Sequence, residues 1–285
     1  MLTYILSAPR SGSTVLTALL ERKQGIVCMP ESSFPQILGT LSRKERSDRR
    51  WLAALYIAGT FPPTPITIDE AEECMHGDND EVLFSLGKAL ARRLERPVDL
   101  VTEVVWKTTR TIGMHTGPLA TCGKFVVIHR HPMNVYESQF RVTFGEGNRI
   151  PLRYAIFMES YHNAFGRIPS HRKFDLHYDD LPGALDELLS FLEVPDAGDW
   201  QTGEAAMVVV AERCSWLTQI TSEFQNTDVE KRARLDPKTV SRVQLAMKVA
   251  RPFRPLLRPV RSYYDNSSAR HIRQRANALL SSPDR

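Results

Sequence analysis

The sequence predicts an α/β fold, a parallel sheet flanked by helices, and three observations carry that reading. Short apolar runs containing β-branched or aromatic residues recur at Thr3–Leu6, Gly25–Met29, Leu100–Trp106, Lys124–His129 and Lys173–Tyr178. Segments with helical spacing of apolar residues alternate with them, the signature of strands connected by crossover helices. The chain has 285 residues, 42% hydrophobic and 25% charged, enough to bury a sizeable core.

Thr3-Tyr4-Ile5-Leu6, closed by Ser7-Ala8-Pro9, reads as a buried strand. From Thr14 to Arg22, Val15, Leu16, Leu19 and Leu20 fall at helical spacing, and Gly25 supplies a stop before the next strand. The run Lys124-Phe-Val-Val-Ile-His129 leads into Pro132 and a helix through about Phe140. Arg149–Arg167 reads as a helix, and Pro182 followed by Leu185, Leu188, Leu189 and Leu192 reads as another. Helices over Arg43–Gly59 and Asp78–Arg96 could sit outside the sheet as lid insertions. No internal repeat appears. The expected organisation is a single α/β domain over residues 1–247 and a basic, Pro/Arg-containing extension over 248–285.

Net charge is +4, but it is uneven. Nine Lys/Arg from Lys248 onward face only Asp265 and Asp284, so that stretch carries +7 and residues 1–247 carry −3. A basic segment asks for a polyanionic partner. No run of 18 apolar residues is present, which excludes a membrane-spanning helix. The start, MLTYILSAPRSGS, lacks the basic and long apolar regions of a secretory signal. Cys28, Cys74, Cys122 and Cys214 are scattered, and no HExxH or carboxylate–histidine cluster occurs, so neither a disulfide framework nor a metal site is expected. A reducing cytoplasm is the expected location.

Two segments carry chemistry. The first, Pro9-Arg10-Ser11-Gly12-Ser13-Thr14, lies between a strand and a helix N-terminus, where free N–H groups and the helix dipole favour an anion. Gly12 lets backbone approach a phosphate, Ser11, Ser13 and Thr14 add hydroxyls, and Arg10 adds a fixed charge with bidentate geometry. The same residues could also form a plain polar turn that caps the helix. The segment is not a Walker A loop: the first glycine and the G-K-[ST] end are missing, which weighs against a kinase or nucleotide hydrolase. In the second, a strand delivers Arg130 to its C-terminal end, Pro132 starts a helix, and Ser138 follows about two turns in. By itself that pattern is weak, and a surface arginine with a helix hydroxyl is the preferred reading.

Taken together, the two segments resemble the sulfotransferase family that uses 3′-phosphoadenosine 5′-phosphosulfate as donor. Its first loop, P-[KR]-S-G-[ST]-T, matches Pro9–Thr14, and its R-x-P-x-x-x-x-x-S motif matches Arg130, Pro132 and Ser138. The resemblance implies a P-loop-like sheet, a 5′-phosphosulfate held by Arg10 to Thr14, and a 3′-phosphate held by Arg130 and Ser138. His131 departs from the family, which commonly has Asp after the motif arginine. Further similarity lies in Cys28–Phe34, where Glu31 matches the catalytic glutamate of the branch that sulfates protein tyrosines. Val105–Thr109 resembles a K-T-P segment with Thr109 in place of Pro, and Phe174–Val194 resembles the family's strand and helix there. The similarity covers about residues 3–194.

By analogy with phosphoryl transfer, such a site needs positioning, charge stabilisation and a base. The resemblance implies Arg10 and Lys107 as the stabilising cations, Glu31 as the base for an acceptor hydroxyl, and no metal. His115 is the alternative base, and His129 reads as structural. Phe34, Trp51, Tyr56, Phe61, Phe140, Phe144, Tyr154 and Phe157 could line an acceptor pocket or belong to the core. The implied partner is a small-molecule or carbohydrate acceptor, not nucleic acid, and a homodimer is compatible. The alternatives are a P-loop-like kinase and an inactive nucleotide-binding protein of the same fold. In the tail, Arg251, Arg254 or Arg258 could reach the 3′-phosphate, unless the tail is a solvated or partner-binding extension.

Overall fold

Five parallel strands stand in the spatial order β2 (Ile26–Met29), β5 (Glu103–Thr108), β1 (Leu2–Ser7), β6 (Lys124–His129) and β7 (Lys173–His177). A short antiparallel pair, β3 (Glu31–Ser32) and β4 (Thr60–Phe61), adjoins the sheet. The computed structural model describes residues 1–61, 63–108, 123–140, 150–181, 183–194, 198–199, 228–257 and 263–281.

Both faces of the sheet are covered, which is why its inner strands are mostly apolar, while the edge strand β7 carries Lys173, Asp175 and His177. Tyr4, Leu6, Val104, Trp106, Phe125 and Val127 point into the larger core. Ile5, Val105, Val126 and Ile128 alternate with them and point into the smaller one. The smaller core is closed by Leu16 and Leu20 of α1 (Ser13–Leu20) and by Leu188 and Leu192 of α9 (Leu185–Leu192). Against the larger core pack α2 (Phe34–Thr40), α4 (Arg49–Gly59), α5 (Ile68–Glu73), α6 (Asn79–Arg93), α7 (Pro132–Phe140) and α8 (Pro151–Phe165).

The strands and helices expected around the site therefore occur, with ends displaced by one to three residues. Two expectations change. The single helix expected over Arg43–Gly59 is two, α3 (Arg43–Arg46) and α4, because Asp48 takes the N-cap position and accepts from the Trp51 N–H at 2.9 Å. Helix α6 is not a lid outside the sheet but part of its cover, with Leu83, Leu86 and Leu90 fully buried. Gly87 makes this close approach possible: a Cβ there would lie 2.4 Å from Val104 Cγ2. Gly87→Leu is accordingly expected to destabilise the fold by about 2–3 kcal/mol through overpacking, read as a lower urea midpoint.

The remaining helices are α10 (Asp228–Ala233), α11 (Pro237–Ala250) and α12 (Tyr263–Ser281). The boundary expected at 247 falls inside α11. Beyond it, Ile272 and Ala276 of α12 are buried in the larger core against α4, and Trp51 Nε1 donates to Asn277 Oδ1 at 3.0 Å. Part of the basic charge is used in the same way, Arg273 pairing with Glu45 at 3.1 Å and Arg254 with Glu159. No helix among the described residues is long and apolar enough to cross a membrane.

Candidate active site

The sheet order fixes where a ligand can sit. The chain leaves β1 through α1 toward β2 on one side, and leaves β6 through α7 toward β7 on the other. The crevice at the C-terminal ends of β1 and β6 is therefore the switch point at which open α/β sheets bind ligands. Pro9–Thr14 follows β1, and Arg130 follows β6, so the two segments singled out from sequence meet at that crevice. Ser7 lies level with Ile128, and Ile5 with Lys107, in register.

The loop is held in an uncommon shape. Arg10 has φ 72° and Gly12 φ 97°, both left-handed. A non-glycine residue there is strained and persists only where its surroundings dictate it. Three contacts do so: Arg130 Nη1 donates to the Arg10 carbonyl at 2.9 Å, Gln139 Nε2 donates to the Pro9 carbonyl at 3.1 Å, and Arg10 Nε donates to Ser138 Oγ at 3.1 Å. Gly12 faces the Tyr178 ring so closely that a Cβ would lie 2.3 Å from two ring carbons. Gly12 is also the N-cap of α1, and no side chain closes that end, which leaves it suited to an anion. Gly12→Ala is expected to displace Tyr178 and to destabilise the fold by about 1–3 kcal/mol, read as a lower urea midpoint.

Lys107 reaches this loop from β5. Its Nζ donates to Thr14 Oγ1 at 2.7 Å and lies 3.5 Å from Glu31 Oε2. Desolvation lowers the lysine's pKa; Glu31 opposes that shift, and Arg10 adds to it. The ammonium, the catalytic glutamate implied by the resemblance and the loop thus form one group. Glu31 is placed by the β3–β4 pair, where it stands opposite Phe61. Among the sequence-predicted residues, Arg10, Thr14, Glu31, Lys107, Arg130 and Ser138 come together here. Pro9 and Gly12 shape the loop, and Ser11 and Ser13 are buried in it. His115 lies outside the described residues.

Sequence reasoning missed the group around Arg130. Asp228, at the start of α10 and almost fully buried, accepts from both Nε and Nη2 of Arg130. Asn134 Nδ2 donates to the same carboxylate, and Lys231 Nζ is 3.6 Å away. Burial pushes the Asp228 carboxyl up, but the hydrogen bonds and charge of Arg130, then Lys231 and Asn134, outweigh it and hold it below the usual carboxylate range. The guanidinium also lies over the Tyr178 ring, 3.9 Å from its centroid. His131, where the family commonly has Asp, stays off this pair; its Nδ1 accepts from the Met133 N–H at 3.3 Å. Of the tail arginines considered for the 3′-phosphate, Arg254 pairs with Glu159 and Arg251 is exposed, while Arg258 lies outside the described residues.

His129 Nε2 is 2.7 Å from Asp175 Oδ1, and its ring stacks on His162. Phe34, Tyr56 and Tyr154 are fully buried core residues and not pocket walls, while Phe61 is exposed and Phe144 lies outside the described residues. Among the described residues no three His, Cys, Asp or Glu side chains are grouped to hold a metal ion.

No curated protein matches the chain. Among solved structures it is similar to the sulfotransferase domain from the Synechococcus PCC 7002 olefin synthase, at 19% identity with a TM-score of 0.42, covering 86% of this chain and 93% of that one. It is also similar to the sulfotransferase domain from the curacin biosynthetic pathway, at 17% identity with a TM-score of 0.39, covering 98% and 96%. The sequence profile described as the Sulfotransferase family matches residues 3–197, from the first residues of β1 through α9, and so spans both halves of the crevice described above. The chain belongs to the Sulfotransferase family.

Proposed function

We propose that the chain transfers a sulfuryl group from 3′-phosphoadenosine 5′-phosphosulfate to a hydroxyl, less readily an amine, of a small-molecule or carbohydrate acceptor. The observation that carries this reading is the convergence of Lys107, Glu31 and the Thr14 hydroxyl at the uncapped N-terminus of α1. The donor supplies the sulfuryl group and its phosphate leaving group. Arg10 to Thr14 would cradle the 5′ end through backbone N–H groups and hydroxyls. Arg130 and Ser138 would take the 3′-phosphate, with Arg130 oriented by Tyr178 and the Arg10 carbonyl. Lys107 and Arg10 would balance the charge that builds between leaving and accepting oxygens. Glu31 would take the proton of the attacking hydroxyl as the new S–O bond forms and the bond to the phosphate oxygen breaks.

Titration of the protein with 3′-phosphoadenosine 5′-phosphate and, separately, ATP tests the donor class. The reading expects binding of the bisphosphate and at least about tenfold weaker binding of ATP, one tenfold step being 1.4 kcal/mol. Tight ATP binding without response to the bisphosphate would support the kinase alternative instead. Transfer of radiolabelled sulfate from the donor into a mixed hydroxyl-compound library, followed by mass spectrometry, tests the reaction and identifies the acceptor. Bisphosphate binding without any transfer would leave a nucleotide-binding protein.

The pH profile offers a further check. Lys107 must be charged to act, and its pKa is lowered from the ordinary lysine value of 10.5. The alkaline decline of kcat is therefore expected below 10.5. Because Glu31 raises the Lys107 pKa, Glu31→Gln is expected to move that decline to lower pH still, in addition to slowing the reaction.

A further inference from the structure

Among the described residues, the cations from Lys248 onward pair with none of the site residues named above. Helix α11 runs directly into a 3₁₀ turn over Arg251–Leu256. Its buried side carries Val243, Ala246 and Ala250, which pack toward α8. Leu245 and Val249, four residues apart, share one side of α11 away from that face, and Phe253 and Leu256, three apart, share one side of the 3₁₀ turn that continues it. These side chains are 63%, 49%, 54% and 76% exposed. These four protruding side chains make an exposed apolar ridge.

Charge flanks the ridge. Lys238, Arg242, Lys248 and Arg251 are exposed and make no ion pair among the described residues. From Pro237 to Leu257 the sequence contains no Asp or Glu. At 100° per residue, Arg242 and Lys248 fall on opposite sides of Leu245 and Val249. That is the layout of a helix lying in a membrane interface, with large apolar side chains between cations that meet anionic headgroups. A second copy of the chain suits the ridge poorly. A twofold contact would set these cations against their own counterparts with no carboxylate between them.

We propose that the ridge formed by Leu245, Val249, Phe253 and Leu256, with its flanking cations, docks the protein on the surface of an anionic lipid bilayer. The acidic body and the basic C-terminal region would then orient the molecule, with this face toward the lipid. The proposal is independent of the reaction assigned to the crevice.

Flotation of the full chain with vesicles tests it. Vesicles of phosphatidylcholine with about 30% phosphatidylserine should carry the protein, and pure phosphatidylcholine vesicles should carry at least about tenfold less. Binding should fall as salt rises from 0.1 to 0.5 M, because the headgroup attraction is screened. Each charge removed, as in Lys248→Gln and Arg251→Gln, should lower partitioning about fivefold. Phe253→Ser with Leu256→Ser should lower it at least about tenfold. All four side chains are exposed, so the urea midpoint should not move and loss of binding cannot be put down to unfolding. No flotation with anionic vesicles, equal binding to neutral ones, or binding insensitive to these substitutions would overturn the proposal. Retention on immobilised polyglutamate combined with no vesicle binding would overturn it in favour of an acidic protein partner.

Discussion

Lys107→Met is expected to lower kcat about 10²–10³-fold, the range seen when one preorganised charge is removed from a developing oxyanion. The position of the ammonium sets the size of this effect. It is nearly buried, bonded to Thr14 in the loop and within 3.5 Å of Glu31, so its field acts in a medium that screens poorly. Methionine keeps most of the side-chain volume and removes the charge. Stability is expected to move little, because relief of a desolvated cation is offset by taking an ion-pair partner from Glu31, whose side chain is only 25% exposed. The combined readout separates the two roles of Lys107. A large fall in kcat at unchanged urea midpoint identifies a transition-state contact. A kcat within threefold of the parent, or a fall matched by lost stability, would contradict the proposed role. Thr14→Ala removes only the hydrogen bond and should cost far less, about tenfold or below.

Much of this arrangement is legible in the chain because it is local. The strand before Pro9, the helix after Gly12 and the strand before Arg130 are each specified within about ten residues, and their parallel pairing brings both motifs to one edge. The Asp48 break between α3 and α4 is also local, but no Gly or Pro between Arg43 and Arg50 marks it. What was not legible depends on tertiary approach. Asp228 lies 98 positions from Arg130, and no motif announces a lone aspartate at a helix start. Tyr178 lies in a segment that resembles the family's strand, yet its contact with both Gly12 and Arg130 arises only from the folded position of its ring. The aromatic residues Phe34, Tyr56 and Tyr154 show the converse failure. Aromatic composition between motifs suits a pocket and a core equally, and only burial distinguishes them.

Asp228→Asn is expected to have two opposed effects, both arising from the same pair of hydrogen bonds. It leaves the Arg130 guanidinium facing a neutral amide in a buried site, so the fold should lose about 3 kcal/mol, seen as a lower urea midpoint. At the same time the internal anion that occupies Nε and Nη2 of Arg130 is removed. A 3′-phosphate then no longer competes with a carboxylate for those donors, and affinity for 3′-phosphoadenosine 5′-phosphate should rise about fivefold or more. Asp228 is held below the usual carboxylate range, so its stabilising effect is present above the unfolded value near 3.8 and disappears as pH falls through the folded one. The stability gap between parent and variant should therefore close in strong acid and persist at neutral pH. Pairing the change with Arg130→Gln should restore part of the lost stability, since removing both charges leaves neither buried alone, while abolishing the gain in affinity. Tighter binding together with weaker folding would show that the fold holds Arg130 with a surrogate for the phosphate. Weaker binding in Asp228→Asn would instead make the carboxylate a support that positions Arg130 for its ligand.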